Sequence, residues 1–141
     1  MRWQEFLKTA QRLLTSNTEG DLRSAVSRAY YAVFHSFREW LKQFGVDIGI
    51  GGSAHSNLYF GLNNCGDPDV GRIADRIDAL RSERVKSDYD LVIRVLPTTA
   101  NNCVSDAQTI ISDFQALLTS RSAQVIADGA KKHLKSIGRV P

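Results

Sequence analysis

An arginine, a tyrosine and a histidine lie close together in the stretch SRAYYAVFH, residues 27–35. Arg28 and His35 are seven residues apart, so in an α-helix they lie two turns apart on one side, with Tyr31 between them. Histidine can transfer protons near neutral pH, and arginine can hold developing negative charge on a phosphate. The pattern therefore offers the groups needed to cleave RNA, although the same side chains could instead be solvated or contact another subunit.

A second polar group lies in LRSERVKSDYD, residues 80–90. Upstream apolar residues spaced by three and four predict a buried stripe, and this stripe continues into Arg81, Arg84 and Asp88. Arg84 and Asp88 form an i,i+4 pair, and Tyr89 follows with a hydroxyl that could join them. Charged groups are rarely buried unless paired, because desolvation of each ion is costly. Two compatible interpretations follow: a structural ion pair, or a cleft that presents arginines to an anion.

The elements that must position these residues are helical almost throughout. Thr18 or Asp21 can cap the second helix. Pro97 excludes a helix that continues through that position, and Thr98 or Thr99 can cap the last long helix, which follows it. No segment alternates as a strand does, so we predict an all-α bundle of four main helices with a short additional helix. The predicted ranges are about 2–15, 21–44, 55–63, 69–88 and 100–120.

The charge distribution divides the chain into residues 1–120 and a basic C-terminal tail, residues 121–141. The net charge is +3, but the tail holds five basic residues and one acidic residue. The first 120 residues hold 13 basic and 14 acidic side chains, so the helical domain is not a basic nucleic-acid footprint. We expect a solvated tail; the alternative is weak contact with an RNA backbone or an acidic partner.

Length and composition exclude several classes of protein. A chain of 141 residues fits one domain with its own core. The N-terminal residues lack a signal-peptide pattern, and no apolar run is long enough for a transmembrane helix. Cys65 and Cys103 are isolated, which favours free thiols over a disulfide and argues against a zinc site. We therefore expect a cytoplasmic, metal-free domain without a cofactor.

Taken together and in this order, SRAYYAVFH and LRSERVKSDYD resemble two helix motifs of the HEPN superfamily (higher eukaryotes and prokaryotes nucleotide-binding), in its small stand-alone prokaryotic branch. The resemblance covers about residues 3–120. It implies an antiparallel four-helix bundle with a fifth short helix, usually dimerised. Many members of this superfamily cleave RNA without metal through an R-x(4–6)-H motif: the ribose 2′-hydroxyl attacks the phosphate, histidine moves the proton and arginine holds the charge.

One departure from that motif bears on activity, because Tyr89 stands where the histidine would be. A tyrosine with a pKa near 10 is a poor base at neutral pH. If the two helices pack side by side, His35 could supply the missing imidazole beside Arg84. Under this hypothesis the catalytic residues are Arg84, His35, Asp88 and Tyr89, and the substrate-binding residues are Arg28, Tyr31 and Arg81.

Three functions remain open from the sequence. The first is a toxin-like endoribonuclease of a toxin–antitoxin or defence system. The second is a non-catalytic HEPN module that binds a nucleotide, RNA or a partner protein, and the third is a structural dimer that interacts through its tail. The resemblance also implies a homodimer and a minimal nucleotidyltransferase as antitoxin. Such partners can attach AMP to a tyrosine of the motif, which makes Tyr89 a candidate acceptor.

Overall fold

Six α-helices joined by short segments make up the fold in a computed structural model that describes residues 1–141. No strand is present, which confirms the all-α prediction, and the five predicted ranges agree with the first five helices within three residues at each end. None of the six is both long and apolar enough to cross a membrane. The helices are α1 (Trp3–Leu13), α2 (Glu19–Gln43), α3 (Gly52–Asn63), α4 (Pro68–Tyr89), α5 (Pro97–Leu117) and α6 (Ala123–Ser136).

The helix starts follow simple capping chemistry. The Thr18 hydroxyl accepts the backbone N–H of Asp21 at 3.3 Å, so Thr18 caps α2, one of the two caps that the sequence allowed. The prediction for α5 was wrong, because the helix begins at Pro97 rather than after Thr98 or Thr99. Proline suits the first helical position, where its missing N–H has no intrahelical partner to lose.

Helix α2 is the centre of the fold and packs against α1, α4 and α5. Its apolar side is buried as the helical phase predicts, and Tyr30, Phe37 and Leu41 are among its fully buried side chains. Helix α3 packs against α4 on one side and α6 on the other, and it also touches α2. The arrangement brings α2, α3 and α4 together around the polar residues of the two motifs.

Residues 121–141 differ from the prediction of a solvated basic tail. Their central part is α6, which the Ser122 hydroxyl caps by accepting the N–H of Val125 at 3.2 Å. The helix packs against α3, because one side of it is apolar although the segment as a whole is basic. The buried side chains of α6 are Ile126, Ala127, Ala130 and Leu134.

Both cysteines are free, as predicted. Cys65 lies just after α3 and Cys103 lies on α5, and both are buried. Burial raises the pKa of the Cys103 thiol to about 11 and also raises the pKa of Cys65. Both side chains are therefore protonated near neutral pH and behave as small core residues.

Candidate functional site

The guanidinium of Arg84 is the main charged group inside the fold. Only 6% of the residue is exposed. Its Cζ atom lies 5.3 Å from the ring centroids of both Tyr30 and Tyr31, so α4 presents a cation to two aromatic rings of α2. The Asp88 carboxylate is 3.5 Å from Nη1, which gives the ion pair predicted from the i,i+4 spacing. The Nε–H of Arg84, however, is buried without a hydrogen-bond acceptor.

Arg81 repeats this feature one turn earlier on α4. Arg81 is half-buried, and its Nε is also buried without a hydrogen-bond acceptor. Two neighbouring arginines thus have unsatisfied buried donors, each of which costs about 1–3 kcal/mol when left unpaired. Asp88 does not relieve them fully, since its Oδ2 also accepts a hydrogen bond from the Ser27 hydroxyl at 3.1 Å. Each of the two arginines therefore keeps one Nε–H donor free for a further acceptor.

His55, near the start of α3, joins the arginines and was not among the predicted site residues. Its Nδ1 lies 2.6 Å from the Tyr30 hydroxyl, and its ring centroid is 4.5 Å from that of Phe34. Burial, and then the positive charges of Arg81 and Arg84, lower the pKa of His55 to about 4. His55 is therefore a neutral imidazole near neutral pH, able to accept a proton. Burial raises the pKa of Tyr30, which keeps the phenol protonated.

His35 lies on the side of the site nearest to α1. Its ring stacks on Phe6 with centroids 4.9 Å apart. Its ring centroid is 6.1 Å from that of Tyr31, whose ring the Arg84 guanidinium also contacts. The two sequence motifs therefore meet at Tyr31. Partial burial and then the charge of Arg38 lower the pKa of His35, so this imidazole also favours the neutral form.

Arg28 remains at the rim of the site. It is exposed, and its Cζ lies 5.6 Å from the centroid of the same Phe6 ring that His35 stacks on. Helical phase places Arg28, Tyr31 and His35 roughly opposite the buried side of α2, but only Arg28 is exposed, and Tyr31 and His35 are half-buried. The reason is that α1 and α4 cover this side of α2.

Tyr89 lies on the surface, unlike the buried side chains around Arg84. It is the last residue of α4 and is 74% exposed, whereas Arg84 is buried. The two residues are five apart, so they lie on different sides of the helix. The Tyr89 phenol therefore lies outside the group of buried side chains around Arg84.

No group of three or more His, Cys, Asp or Glu side chains lies close enough together to bind a metal ion. The site instead offers arginine donors and two imidazoles. We call Tyr30, Tyr31, His35, His55, Arg81 and Arg84 the arginine–histidine cluster.

Sequence reasoning missed His55 for a physical reason. The sequence predicts a short helix that begins at about residue 55, but it does not show which helices the first turn of α3 contacts. Only the packing of α3 against α4 brings its first turn to the arginines.

Comparison with known proteins agrees with these two motifs. A family model described as HEPN domain matches residues 3–117, which include α1 to α5. No curated protein and no solved structure matches the chain. The matched range covers both helices that carry the arginine–histidine cluster and the third that supplies His55. The chain therefore belongs to the HEPN family.

Proposed function

We propose that this HEPN domain is a toxin-like, metal-independent endoribonuclease. The observation that carries the proposal is the buried Arg84 guanidinium, with an unpaired Nε, beside a histidine whose pKa is lowered to about 4. Arg81 and Arg84 bind the non-bridging oxygens of the scissile phosphate. His55 is the first choice for the base because it lies close to both arginines and is neutral near neutral pH, and His35 is the second imidazole of the site.

The reaction needs one base, one acid and a charge stabiliser. A neutral imidazole accepts the proton of the ribose 2′-hydroxyl, whose oxygen forms a bond to phosphorus while the bond to the 5′-oxygen breaks. The imidazolium formed in this step then gives its proton to the leaving 5′-oxygen, and the products are a 2′,3′-cyclic phosphate and a 5′-hydroxyl. The arginines hold the charge that develops on the phosphoryl oxygens, a contribution of about 10²–10³-fold in rate for one such donor.

The remaining predicted residues position the substrate in this proposal. Asp88 orients Arg84 through the contact between their charged groups, and Ser27 in turn fixes Asp88. Arg28 meets a neighbouring phosphate, and the Tyr31 ring offers a surface on which an unpaired base can stack. Tyr89 is given no proton-transfer role because it is exposed.

Cleavage of RNA in the presence of a chelator tests the proposal. We expect His55→Ala and Arg84→Ala each to lower the rate at least about 10²-fold while circular dichroism shows that both variants remain folded. Arg76→Ala is the matched control, because Arg76 is on α4 but pairs with Asp113 of α5. Activity that is indifferent to both site substitutions would rule out this mechanism.

The proposal includes the assembly that the family resemblance implies. We infer a homodimer with α1, α2, α4 and α5 as an antiparallel four-helix bundle, in a cytoplasmic toxin–antitoxin or defence setting. Support for a binding surface comes from the segment after α4, where Leu91 and Val92 are 82% and 97% exposed. Arg23 fixes this segment by donating to the carbonyl groups of Ser87 and Asp90, both at 2.9 Å.

The second candidate is a non-catalytic HEPN module that binds a nucleotide, RNA or a nucleotidyltransferase partner. The exposure of Tyr89, at the place of the motif histidine, favours it. In this case a partner enzyme transfers AMP from ATP to the Tyr89 phenol oxygen and releases pyrophosphate. Mass spectrometry of the co-expressed pair, with Tyr89→Phe as control, would detect the adduct; an RNase assay on the same preparation separates the two functions.

A further inference from the structure

We infer that the basic side of α6 extends the phosphate-binding site, so that the ligand is a polynucleotide strand of RNA rather than a single nucleotide. This inference rests on the phosphate-binding part of the proposed function. It concerns a helix that lies outside residues 3–117, the range that matches the HEPN family model. The proposed surface therefore lies outside the matched range.

The charges of α6 are concentrated and uncompensated. Lys131, Lys132 and Lys135 lie in its last two turns, and none of them forms a salt bridge. The one acidic residue nearby, Asp128, accepts a hydrogen bond from the Gln124 amide instead, at 2.8 Å. Lys131 and Lys135 are about 6 Å apart along the helix axis, a spacing set by the rise per residue.

Arg139, which follows α6, contacts α3 next to His55. Its Nη1 donates to the Ser56 hydroxyl and to the Asn57 side-chain oxygen, both at 3.2 Å, and its Cζ lies 5.4 Å from the Phe60 ring. Ser56 directly follows His55, so the Cα atoms of these two residues are about 3.8 Å apart. Arg139 therefore places a cation of the C-terminal segment against α3, beside the residue that follows His55.

Close packing fixes α6 relative to α3. Gly129 of α6 passes so near the Cys65 carbonyl oxygen that an added methyl group would collide with it. Gly61 of α3 faces Leu134, whose Cδ1 would lie 3.1 Å from a Cβ at that position. The lysines are therefore held at a set distance from His55 rather than on a free tail, as a site that follows a nucleic-acid backbone requires.

An RNA strand fits this surface better than an acidic protein does. The arginine–histidine cluster is suited to one phosphodiester, and the neighbouring phosphates of the same strand must lie outside it, where Arg139 and the lysines of α6 provide cations on the surface. Lysines contact phosphates without regard to base sequence, so they add affinity and salt dependence rather than specificity. The inference thus predicts a ligand-length effect that a single-nucleotide site would not show.

The test measures binding of a fluorescent 2′-O-methyl oligoribonucleotide, which lacks the attacking hydroxyl, over a range of salt concentrations. The α6 variant carries Lys131→Gln, Lys132→Gln and Lys135→Gln. The control variant carries Lys8→Gln, Arg12→Gln and Lys42→Gln on α1 and α2, which changes the net charge equally. We expect the α6 variant to bind about tenfold more weakly at low salt, with the logarithmic salt slope reduced by about 2, and the control to match the wild type.

Two further probes complete the test. The α6 variant should cleave a dinucleotide at the wild-type rate, because a dinucleotide does not reach α6. If the variant instead lost dinucleotide cleavage as strongly as it loses binding of the long strand, the inference would be overturned. A fluorescent polyglutamate should bind weakly to all three proteins, and a parallel tenfold loss with it would identify a general acidic-polymer surface instead.

Failure of this inference is distinguishable from failure of the proposed nuclease. If the wild type cleaves RNA through His55 and Arg84 while the α6 variant binds the long strand as the control does, the inference is wrong and the nuclease stands. If the wild type binds the strand in a way that depends on α6 but cleaves nothing, the inference stands and the nuclease is wrong.

Discussion

At the scale of single residues, Arg84 decides between a structural and a functional interpretation of the α4 charges. It is 6% exposed, with one carboxylate at 3.5 Å and one unpaired Nε. A buried ion pair with incomplete hydrogen bonding is often no more stable than an apolar side chain of similar size. Because this arrangement adds little stability, it favours a functional role for Arg84 over a purely structural one.

We predict that Arg84→Met lowers the free energy of unfolding by less than about 3 kcal/mol, the smallest loss expected when one partner of a fully buried pair is removed, since Asp88 is partly exposed and can be hydrated. The same variant should lose at least about 10²-fold in RNA cleavage. Urea unfolding and a cleavage assay check the two effects. Arg76→Met, which breaks an exposed pair with Asp113, should change stability by less than about 1 kcal/mol. A loss of 3–5 kcal/mol in Arg84→Met would instead show a structural ion pair.

His55 gives a prediction about pH. Its pKa is about 4 in the folded chain and 6.5 in the reference state, so between these values the unfolded chain binds more protons. Stability should therefore rise with pH through this window, reach its full value above pH 6.5 and be lost as the pH falls towards about 4. His35 contributes in the same direction. Urea unfolding at several pH values measures this dependence. The free energy of unfolding should change less with pH in His55→Gln, whose amide can still bond to Tyr30, than in the wild type, and equal slopes in the two proteins would contradict the prediction.

Residue types alone could predict part of the cluster. The i,i+4 spacing correctly predicted the Arg84–Asp88 pair, and the replacement of the motif histidine by Tyr89 was visible directly. His55 could not be found in this way, because its role depends on a tertiary contact between helices far apart in sequence. A single histidine in a short helix has many ordinary explanations when its neighbours in space are unknown.

At the scale of elements, α2 and α4 were predictable because each spans several turns, over which the helical spacing of its apolar residues is clear. Helix α6 was not, since only four of its positions are buried and two of these are alanines. The surrounding lysines dominate its composition and suggest a solvated terminus. Packing against α3 overrides that composition.

Close approach at Gly129 is the feature of α6 that is easiest to test. A methyl group there would meet the Cys65 carbonyl oxygen, which is backbone and cannot turn aside. We expect Gly129→Ala to lower the free energy of unfolding by about 1–3 kcal/mol, as overpacking does. Gly20→Ala is the matched control: it lies in a helix with open space around it and should gain up to about 1 kcal/mol from helix propensity. Equal gains in both variants would show that α6 is loosely docked.

At the scale of the whole molecule, one chain brings together every group of the arginine–histidine cluster. Tyr30 and Tyr31 come from α2, His55 from α3 and Arg84 from α4, so the contacts among them need no second copy. The homodimer proposed above would then place two such clusters side by side, with the basic sides of two α6 helices available to one strand. The alternative is a composite site, in which one copy supplies the arginine and the other the imidazole.

Mixed dimers distinguish these two arrangements. His55→Ala and Arg84→Ala chains, co-expressed with different tags and purified through both, form dimers in which each chain lacks one group. If each site lies within one chain, both sites are defective and cleavage should stay at least about 10²-fold below the wild type. A composite site would instead leave one of two sites intact, and activity would return to about half. A mixed dimer of wild type and Arg84→Ala is the control that reports the activity of one intact chain, and recovery to its level in the doubly defective dimer would contradict a site built within one chain.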